Sequence, residues 1–418
     1  MKIYKFGGAS VKDANGVKNV VNVLKKVGFN DVLIVLSAIG KTTNYLEQVV
    51  KDYTEKSENL QNSVLNVLKL HLDIVDDLFL DQMNSTSIEI HSIIENLKNF
   101  LNTNKSPNYN FIYDQVVSYG EIISTTILNN YLNYIGIESE WLDARKCIKT
   151  DEYYRDANLN WEASQNQVLS HVKPSKLYIT QGFIGSDSNN FTTTLGREGS
   201  DYSAAIFGYI LNVEAVIIWK DVPGILNADP RYFKNTKLLN KISYTEAIEL
   251  AFYGASVIHP KTLQPLQRKE IPLQVKSFLN PQEPGTTVSK GKALEPHIPC
   301  FIIKSNQVLL RLSSLDFSFI VEENISHIFS LLHKHQMRVE LIQNSAISFS
   351  VCINNKFNRL DDLLQNLKYK FKVKVYEDVT LYTIRHFDSK ALESLSEKSS
   401  KILLEQRAQE TIQVVLEN

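Results

Sequence analysis

Apolar residues in the first 220 positions alternate between the spacing of strands and the spacing of helices. Lys2–Phe6 predicts a short strand that ends in a glycine pair, and Val32–Leu36 predicts a second strand. Between them, apolar residues recur from Val17 at i, i+3, i+4 and i+7, which is the stripe of an amphipathic helix. Residues 177–180 and 215–219 are further candidates for buried strands. Strands that alternate with helices in this way predict a parallel-rich sheet sandwiched by helices.

Two later regions depart from this alternation. Residues 45–111 contain no glycine and many leucines, and we predict helices there as an excursion from the sheet. After residue 292 the pattern predicts a βαββαβ unit of ferredoxin-like type. Its elements are expected at residues 308–312, 323–335, 339–342, 346–353, 358–368 and 369–376.

The chain after residue 376 predicts a second, shorter unit. Its strands are expected at residues 379–384, 402–404 and 411–416, with only the polar segment 388–400 between the first two, so we expect that most helical content is lost. Seven of the eleven prolines lie between Pro260 and Pro299, which places a domain boundary at about residue 292. The expected domains are residues 1–291, 300–376 and 377–418.

Composition and charge exclude several classes of protein. The formal net charge of the 418 residues is −1 and stays near zero on both sides of residue 300, which argues against a nucleic-acid partner. The basic run 368–374 alternates with apolar residues, as in a half-buried strand. The widely spaced Cys147, Cys300 and Cys352 form no metal or redox motif. Because no run approaches the roughly 18 apolar residues of a membrane span and the N-terminus has no signal-peptide core, we expect a cytoplasmic protein without a membrane partner.

A glycine pair, Gly7 and Gly8, follows the first predicted strand, two residues after Lys5. By itself such a pair is an ordinary turn. Lys5 changes the interpretation, because an ammonium group beside exposed backbone N–H groups and a helix N-terminus can hold a phosphate. Glycine suits the position, since it lets phosphate oxygens approach the backbone closely.

A second candidate site lies at residues 192–201, directly before a predicted helix. The segment combines three threonines and two glycines with Arg197, Ser200 and Asp201. Ser200 or Asp201 can cap the helix, but capping explains neither the guanidinium group nor the glycines. We therefore interpret the segment as an anion site.

A third candidate lies at residues 219–231, where a predicted strand ends in Lys220 and Asp221 and the following loop contains Asp229 and Arg231. The cationic groups suit phosphates, and the carboxylates suit magnesium, which takes oxygen ligands. Asp229 before a proline is also typical of a turn that carries no function.

Taken together, these segments resemble the aspartate kinases of the amino acid kinase superfamily. The family's opening Lys-Phe-Gly-Gly-Thr-Ser-Val is similar to Lys5 through Val11, with alanine in place of the threonine. Further similar motifs follow in the family's order at residues 37–44, 118–121, 180–185, 193–201, 221–225, 228–231 and 254–260. The resemblance covers residues 1 to about 290 and implies an amino-acid-kinase fold, and the C-terminal elements are similar to the family's regulatory ACT domains.

The resemblance implies transfer of a phosphoryl group from ATP to the side-chain carboxylate of L-aspartate. The product is 4-phospho-L-aspartate, and the reaction opens the pathway to lysine, threonine and methionine. ATP with Mg²⁺ and L-aspartate are the implied ligands. The resemblance also implies a homodimer formed through the ACT region.

Individual roles are implied in the same way. Lys5 would contact the transferring phosphates, and Asp201 would orient Lys5 or help to place Mg²⁺; no other metal ligand is implied. Glu121 would hold the ammonium group of the substrate and Arg197 a carboxylate. The implied aspartate site consists of Ser37, Thr43, Glu121, Phe183, Arg197 and Ser200. The implied nucleotide site consists of Lys5, Phe6, Gly7, Gly8, Lys220, Asp221, Leu226, Arg231 and Ser256.

The chain departs from the family pattern at four of these or neighbouring positions. Glu198 stands where many family members have a glycine, and Leu226 replaces a tyrosine. Ser256 replaces a lysine, while Lys220 replaces a threonine. We hypothesise that Lys220 supplies the phosphate-directed charge that is missing at position 256.

Other interpretations stay open on the sequence. Another kinase of the superfamily would act on glutamate, acetylglutamate, carbamate or a nucleotide, although Glu121 and the Lys5 motif favour aspartate. A catalytically inactive amino-acid sensor is a third possibility, and the joint presence of Lys5, Arg197, Asp201 and Asp221 argues against it. No glycine follows Gly291, which excludes a downstream glycine-rich dehydrogenase domain in this chain.

The expected effector loop at residues 315–322 also contains no glycine, whereas family effector sites often use one. Classical feedback inhibition by lysine or threonine is therefore doubtful.

Overall fold

The computed structural model describes residues 1–79, 85–255, 258–291, 293–316, 318–396 and 401–418. The chain divides into two compact units. The first consists of Met1–Ile225, Leu238–Ile248 and Ile258–Ala293, and the second of Leu226–Lys237, Glu249–Val257 and Leu294–Asn418. The expected domains 1–291, 300–376 and 377–418 stay predictions. Among the described residues, no helix is both long and apolar enough to span a bilayer.

The strands of the first unit form a parallel-rich sheet and a small hairpin, which confirms the predicted fold class. They are β1 (Lys2–Phe6), β2 (Val32–Leu36), β3 (Glu140–Leu142), β4 (Leu177–Gln181), β5 (Ile184–Ser186), β6 (Thr192–Thr194), β7 (Ala215–Lys220), β8 (Lys241–Ser243), β9 (Leu273–Ser277) and β10 (Thr286–Ser289). Within the unit the sheet order is β8-β10-β9-β7-β1-β2-β4-β3, and only the β9–β10 pair is antiparallel. The hairpin joins β5 to β6.

Helices cover this sheet and form the predicted excursion. They are α1 (Ala14–Val27), α2 (Thr42–Thr54), α3 (Leu60–Leu78), α4 (Ser85–Thr103), α5 (Tyr109–Val117), α6 (Tyr119–Tyr134), α7 (Ala144–Cys147), α8 (Trp161–His171), α9 (Gly199–Leu211), α10 (Tyr244–Tyr253, which continues into the second unit) and α11 (Pro260–Arg268). Every residue of β2 and β4 is buried, as expected for parallel strands covered on both faces.

The register of the central strands decides where the loops meet. β1 lies between β2 and β7, and Lys5 is level with Val35 on one side and Ile218 on the other. The carboxyl ends of these three parallel strands therefore reach the same edge of the sheet. Loops at this edge are where α/β proteins place their ligands.

The second unit contains a six-stranded antiparallel sheet. Its elements are β11 (Leu294–Glu295), β12 (Cys300–Ser314), α12 (Glu322–Lys334), β13 (Arg338–Asn344), β14 (Ser348–Asn354), α13 (Leu360–Lys368), β15 (Phe371–Arg385), α14 (Ser389–Ser396), β16 (Ile402–Arg407) and β17 (Thr411–Glu417). The sheet order is β13-β14-β12-β15-β17-β16. The predicted βαββαβ order is confirmed from β12 to β15, and the strands predicted at 369–376 and 379–384 form one continuous strand.

The polar segment after β15 corrects one expectation, because it contains the helix α14. The side chain of Asp388 accepts a hydrogen bond from the backbone N–H of Ala391 at 2.8 Å, which caps the first turn. Ala391 is buried in a cluster with Ile384 and Ile412. A short apolar stripe and a cap therefore suffice for a helix in a segment whose composition is mostly polar.

Candidate active site

The edge of the sheet at the end of β1 brings together two lysines and one carboxylate. Lys5 is buried on β1, and its Nζ lies 2.6 Å from Oδ1 of Asp201 in the first turn of α9. Lys220 ends β7, and its Nζ lies 3.8 Å from Oδ2 of the same carboxylate. Asp201 is only 3% exposed. One fixed carboxylate thus orients two ammonium groups, as a site for phosphates requires.

A cavity of about 380 Å³ opens beside this group. Nine residues assigned from the sequence line it, namely Lys5, Gly8, Ser37, Thr43, Glu121, Phe183, Ser200, Asp201 and Lys220. The cavity is also lined by five residues that the sequence analysis did not assign to either binding site, namely Ala38, Gly40, Gly196, Glu198 and Gly199. All of these five lie within motifs already singled out.

The glycines after β1 are needed for different reasons. A Cβ on Gly8 would lie 2.7 Å from the backbone oxygen of Ala38, a contact that the structure could relieve only by moving the backbone. A Cβ on Gly7 would lie 3.3 Å from Nζ of Lys5, which is the end of a long side chain and not backbone. The close approach of the two loops is therefore possible only with glycine at position 8.

Glu121 presents a buried carboxyl group to the cavity. It lies in the first turn of α6, is 3% exposed, and its Oε1 accepts a hydrogen bond from the backbone N–H of Ala38 at 3.2 Å. Its Oε2 has no hydrogen-bond partner. Burial raises the pKa of Glu121 to about 8, against the opposing effect of that backbone hydrogen bond. A cationic group that enters the cavity would satisfy the open oxygen.

Two residues that are not glycine hold left-handed backbone conformations at the cavity. Phe183 has φ of 70° and Glu198 has φ of 53°. Glu198 precedes α9, and its Oε2 is buried without a hydrogen-bond partner. Such conformations are disfavoured for residues with a Cβ and concentrate at functional sites. Glu198 therefore adds a carboxyl oxygen without a hydrogen-bond partner to a cavity that two lysines also line.

Comparison with known proteins agrees with this geometry. A sequence model of the amino acid kinase family matches residues 1–277. The lysine-sensitive aspartokinase 3 of Escherichia coli strain K12 is 31% identical over 401 residues, which cover 91% of this chain and 86% of that protein. This chain belongs to the aspartokinases of the amino acid kinase family.

Two solved aspartokinase structures are similar over almost the whole chain. The E. coli aspartokinase III complex with aspartate and ADP has a TM-score of 0.80 and 27% identity, and the match covers 100% of this chain and 96% of that one. The complex of the same enzyme with lysine and aspartate has a TM-score of 0.82 and 27% identity, with 99% and 95% coverage.

Some residues that the resemblance to aspartokinases assigned lie outside the cavity lining. Phe6 is fully buried and stacks on Trp219, so its side chain belongs to the core. The side chains of Arg197 and Asp221 are exposed. Gly7 lies next to the cavity residue Gly8, and its conformation is β-like.

Three assigned nucleotide residues do not belong to the described part of the first unit. Leu226 and Arg231 belong to the second unit. Arg231 is exposed and forms an ion pair with Asp229, with 2.5 Å between Nη2 and Oδ2. Ser256 lies outside the described residues. The roles of these residues stay predictions.

Proposed function

We propose that this aspartokinase transfers the γ-phosphoryl group of ATP to the side-chain carboxylate of L-aspartate. The observation that carries the proposal is the pair of ammonium groups held by one buried carboxylate, Asp201, in the same cavity as Glu121. The cations suit the phosphates, and Glu121 suits the ammonium group of an amino acid. A site with both features fits a substrate that is an amino acid and a donor that is a nucleotide.

The reaction needs positioning and charge neutralisation more than proton transfer. A side-chain oxygen of the substrate attacks the γ-phosphorus, and the bond from that phosphorus to the bridging oxygen of ADP breaks. A free aspartate carboxyl titrates near ~3.9, so the nucleophile is already ionised at neutral pH. Lys5 and Lys220 would stabilise the charge on the transferring and leaving phosphates.

The substrate would be held by groups with different tasks. Glu121 would bind the ammonium group, and the hydroxyl groups of Ser37, Thr43 and Ser200 would bind carboxylate oxygens. Phe183 would supply an apolar wall. Arg197 is proposed for the α-carboxylate, because a planar guanidinium group can bind it with two hydrogen bonds.

The donor would lie against the turn after β1. The backbone at Phe6, Gly7 and Gly8 would contact phosphates, and the glycine at position 8 lets this turn pack against the backbone of Ala38. The roles of Asp221, Leu226, Arg231 and Ser256 toward the nucleotide are proposed from the resemblance alone.

The oxygen atoms of the cavity fit a magnesium ion that arrives on the phosphates. Asp201 already orients two lysines, so it fits the role of a positioning group better than that of a magnesium ligand. Glu198 adds a carboxylate oxygen without a hydrogen-bond partner, which suits a cation with oxygen ligands. When bound, magnesium would neutralise part of the charge on the transferred group.

The experiment is an assay of ADP formation with purified full-length protein, ATP, Mg²⁺ and one acceptor at a time. We expect ADP with L-aspartate, and at most a trace with glutamate, acetylglutamate or carbamate. Lys5→Met should lower kcat at least a hundredfold, whereas Lys26→Met, an exposed lysine of α1, should leave it unchanged. Turnover on another acceptor and none on aspartate would refute the proposal.

We also propose that the protein is cytoplasmic and forms a homodimer through residues 300–418. The near-neutral charge and the three buried free cysteines are compatible with a reducing compartment. Light scattering after gel filtration should give twice the 47.7 kDa of one chain.

A further inference from the structure

The loop that follows the short strand β6 carries Arg197 and leads into Ser200 and Asp201 in the first turn of α9, and helix α5 lies against that strand. Asp114 of α5 is completely buried. Its Oδ2 accepts hydrogen bonds from the backbone N–H of Thr194 at 2.8 Å and of Arg155 at 3.0 Å. Its Oδ1 accepts a third from Oγ1 of Thr194 at 2.8 Å. Every group that bonds to this carboxylate is a donor.

The next residue of α5, Gln115, forms hydrogen bonds with the other end of β6. Gln115 donates from Nε2 to the backbone oxygen of Thr192 at 2.7 Å and accepts from the backbone N–H of Thr192 at 3.2 Å. Besides its pairing with β5, β6 therefore receives hydrogen bonds from side chains of α5 at both of its ends. The last residue of β6, Thr194, is held by the carboxylate of Asp114 through two of its own atoms.

Residues 155–157, whose Arg155 donates a hydrogen bond to Asp114, also contact the start of the loop. Arg155 has a left-handed φ of 74°, and the backbone N–H of Ala157 donates to the backbone oxygen of Thr194 at 2.9 Å. A Cβ on Gly196 would lie 2.4 Å from Oδ1 of Asp156. Asp114 thus connects two segments that together confine the first residues of the loop.

The charge of Asp114 is kept by its partners against the effect of burial. Burial raises the pKa of Asp114 to about 6, while the three hydrogen bonds and the Arg155 guanidinium group oppose that rise. Tyr113 and Tyr154 are the other titratable groups that interact with it. Above pH 7 the carboxylate is therefore ionised and can accept all three hydrogen bonds.

We propose that Asp114 is a positioning residue for the aspartate-binding loop, because it fixes Thr194 and Arg155 and thereby places residues 196–200 at the cavity. The inference rests on the proposed function of that loop. Asp201 and Lys5 are anchored separately, by helix α9 and strand β1. The loss of Asp114 should therefore weaken aspartate binding more than nucleotide binding.

The test measures kcat and both KM values for the full-length protein at pH 8. Asp114→Asn keeps the size of the side chain but turns one acceptor into a donor that faces Thr194. We expect the KM for aspartate to rise about tenfold, because the hydrogen bonds lose their charged acceptor, and the KM for ATP to stay within about twofold. Thr194→Val removes one donor and should raise the aspartate KM by about threefold, and it serves if Asp114→Asn does not fold.

Asp52→Asn is the matched control. Asp52 is a buried carboxylate of α2 that accepts hydrogen bonds from Gln48 and Ser63 and contacts no residue of the loop. Its replacement should lower the melting temperature without changing either KM.

Three outcomes are decisive. Unchanged aspartate KM in both Asp114→Asn and Thr194→Val overturns the inference, and so does an equal rise of the aspartate KM in Asp52→Asn. Wild-type protein that shows no turnover of aspartate refutes the proposed function instead.

Discussion

Burial changes the chemistry of Glu121 in the cavity. The pKa of its carboxyl group is raised to about 8 by burial, so the group is mostly protonated at pH 7 in the free protein. An ammonium group beside Oε2 favours the ionised form. Substrate binding at pH 7 should therefore release protons from the protein.

Calorimetry can measure this release. We expect the heat of aspartate binding at pH 7 to vary with the ionisation enthalpy of the buffer and to indicate up to about one proton released. Glu121→Gln should bind more weakly and release none from this site. A binding heat that is independent of the buffer in the wild type would show that Glu121 does not bind the ammonium group.

The raised pKa also predicts how stability depends on pH. Between about 4.5 and 8 the folded state keeps the Glu121 proton while the unfolded chain has lost it, so this residue lowers the free energy of unfolding as pH rises. The melting temperature of Glu121→Gln minus that of the wild type should therefore increase from pH 5 to pH 8. A constant difference across this range would contradict the assigned pKa.

Lys220 is the second residue with an unusual role. Its ammonium group lies 3.8 Å from Asp201 in the cavity, which places a second cation where the phosphates are expected. Lys220→Met should raise the KM for ATP about tenfold and lower kcat, since hydrogen bonds to charged groups are worth roughly 1.5–3 kcal/mol. The aspartate KM should change less.

The exposed Lys26 of α1 provides the control, and Lys26→Met should match the wild type. If Lys220→Met left both the ATP KM and kcat unchanged, the hypothesis that Lys220 compensates for Ser256 would be wrong.

At the scale of the elements, the turn between β1 and α1 determines the geometry of the phosphate site. Gly8→Ala should abolish most activity and lower stability, because its Cβ would meet the backbone oxygen of Ala38 at 2.7 Å. Gly7→Ala should be tolerated better, because Nζ of Lys5 needs to move by only a few tenths of an ångström. Melting temperature and kcat of the two variants provide the comparison, and equal losses would contradict this account of the turn.

β2 and β7 could be predicted because each is a largely apolar run, and β1 because a glycine pair follows its short stretch of alternating residues. β3, at residues 140–142, was not predicted because it is only three residues long. β9, at residues 273–277, was not predicted although its polar and apolar residues alternate as in a half-buried strand. Helix α14 was not predicted, because its segment is mostly polar.

The cavity could be predicted in large part because its residues lie in dense local motifs such as 192–201. Asp114 gave no such signal, since a single acidic residue within a helix is usually exposed. Its role depends on Thr194 and Arg155, which are distant in sequence, so only the structure brings them together.

At the scale of the whole molecule, the second unit raises the question of regulation. The described residues between β12 and α12 contain no glycine. Every residue there has a Cβ, which limits how closely a ligand can approach the backbone. We expect saturating lysine or threonine, added separately, to leave the rate of ADP formation within about twofold. Strong inhibition by either amino acid would contradict this expectation and show that a glycine-free loop can form an effector site.

If the cavity around Lys5 and Asp201 transfers the phosphoryl group to aspartate, the product is an acyl phosphate. Trapping with hydroxylamine measures this product directly, because an acyl phosphate gives a hydroxamate. The wild type with ATP, Mg²⁺ and L-aspartate should form aspartyl hydroxamate in step with ADP, and Lys5→Met should form almost none. ADP without hydroxamate, or equal hydroxamate from Lys5→Met, would contradict the account.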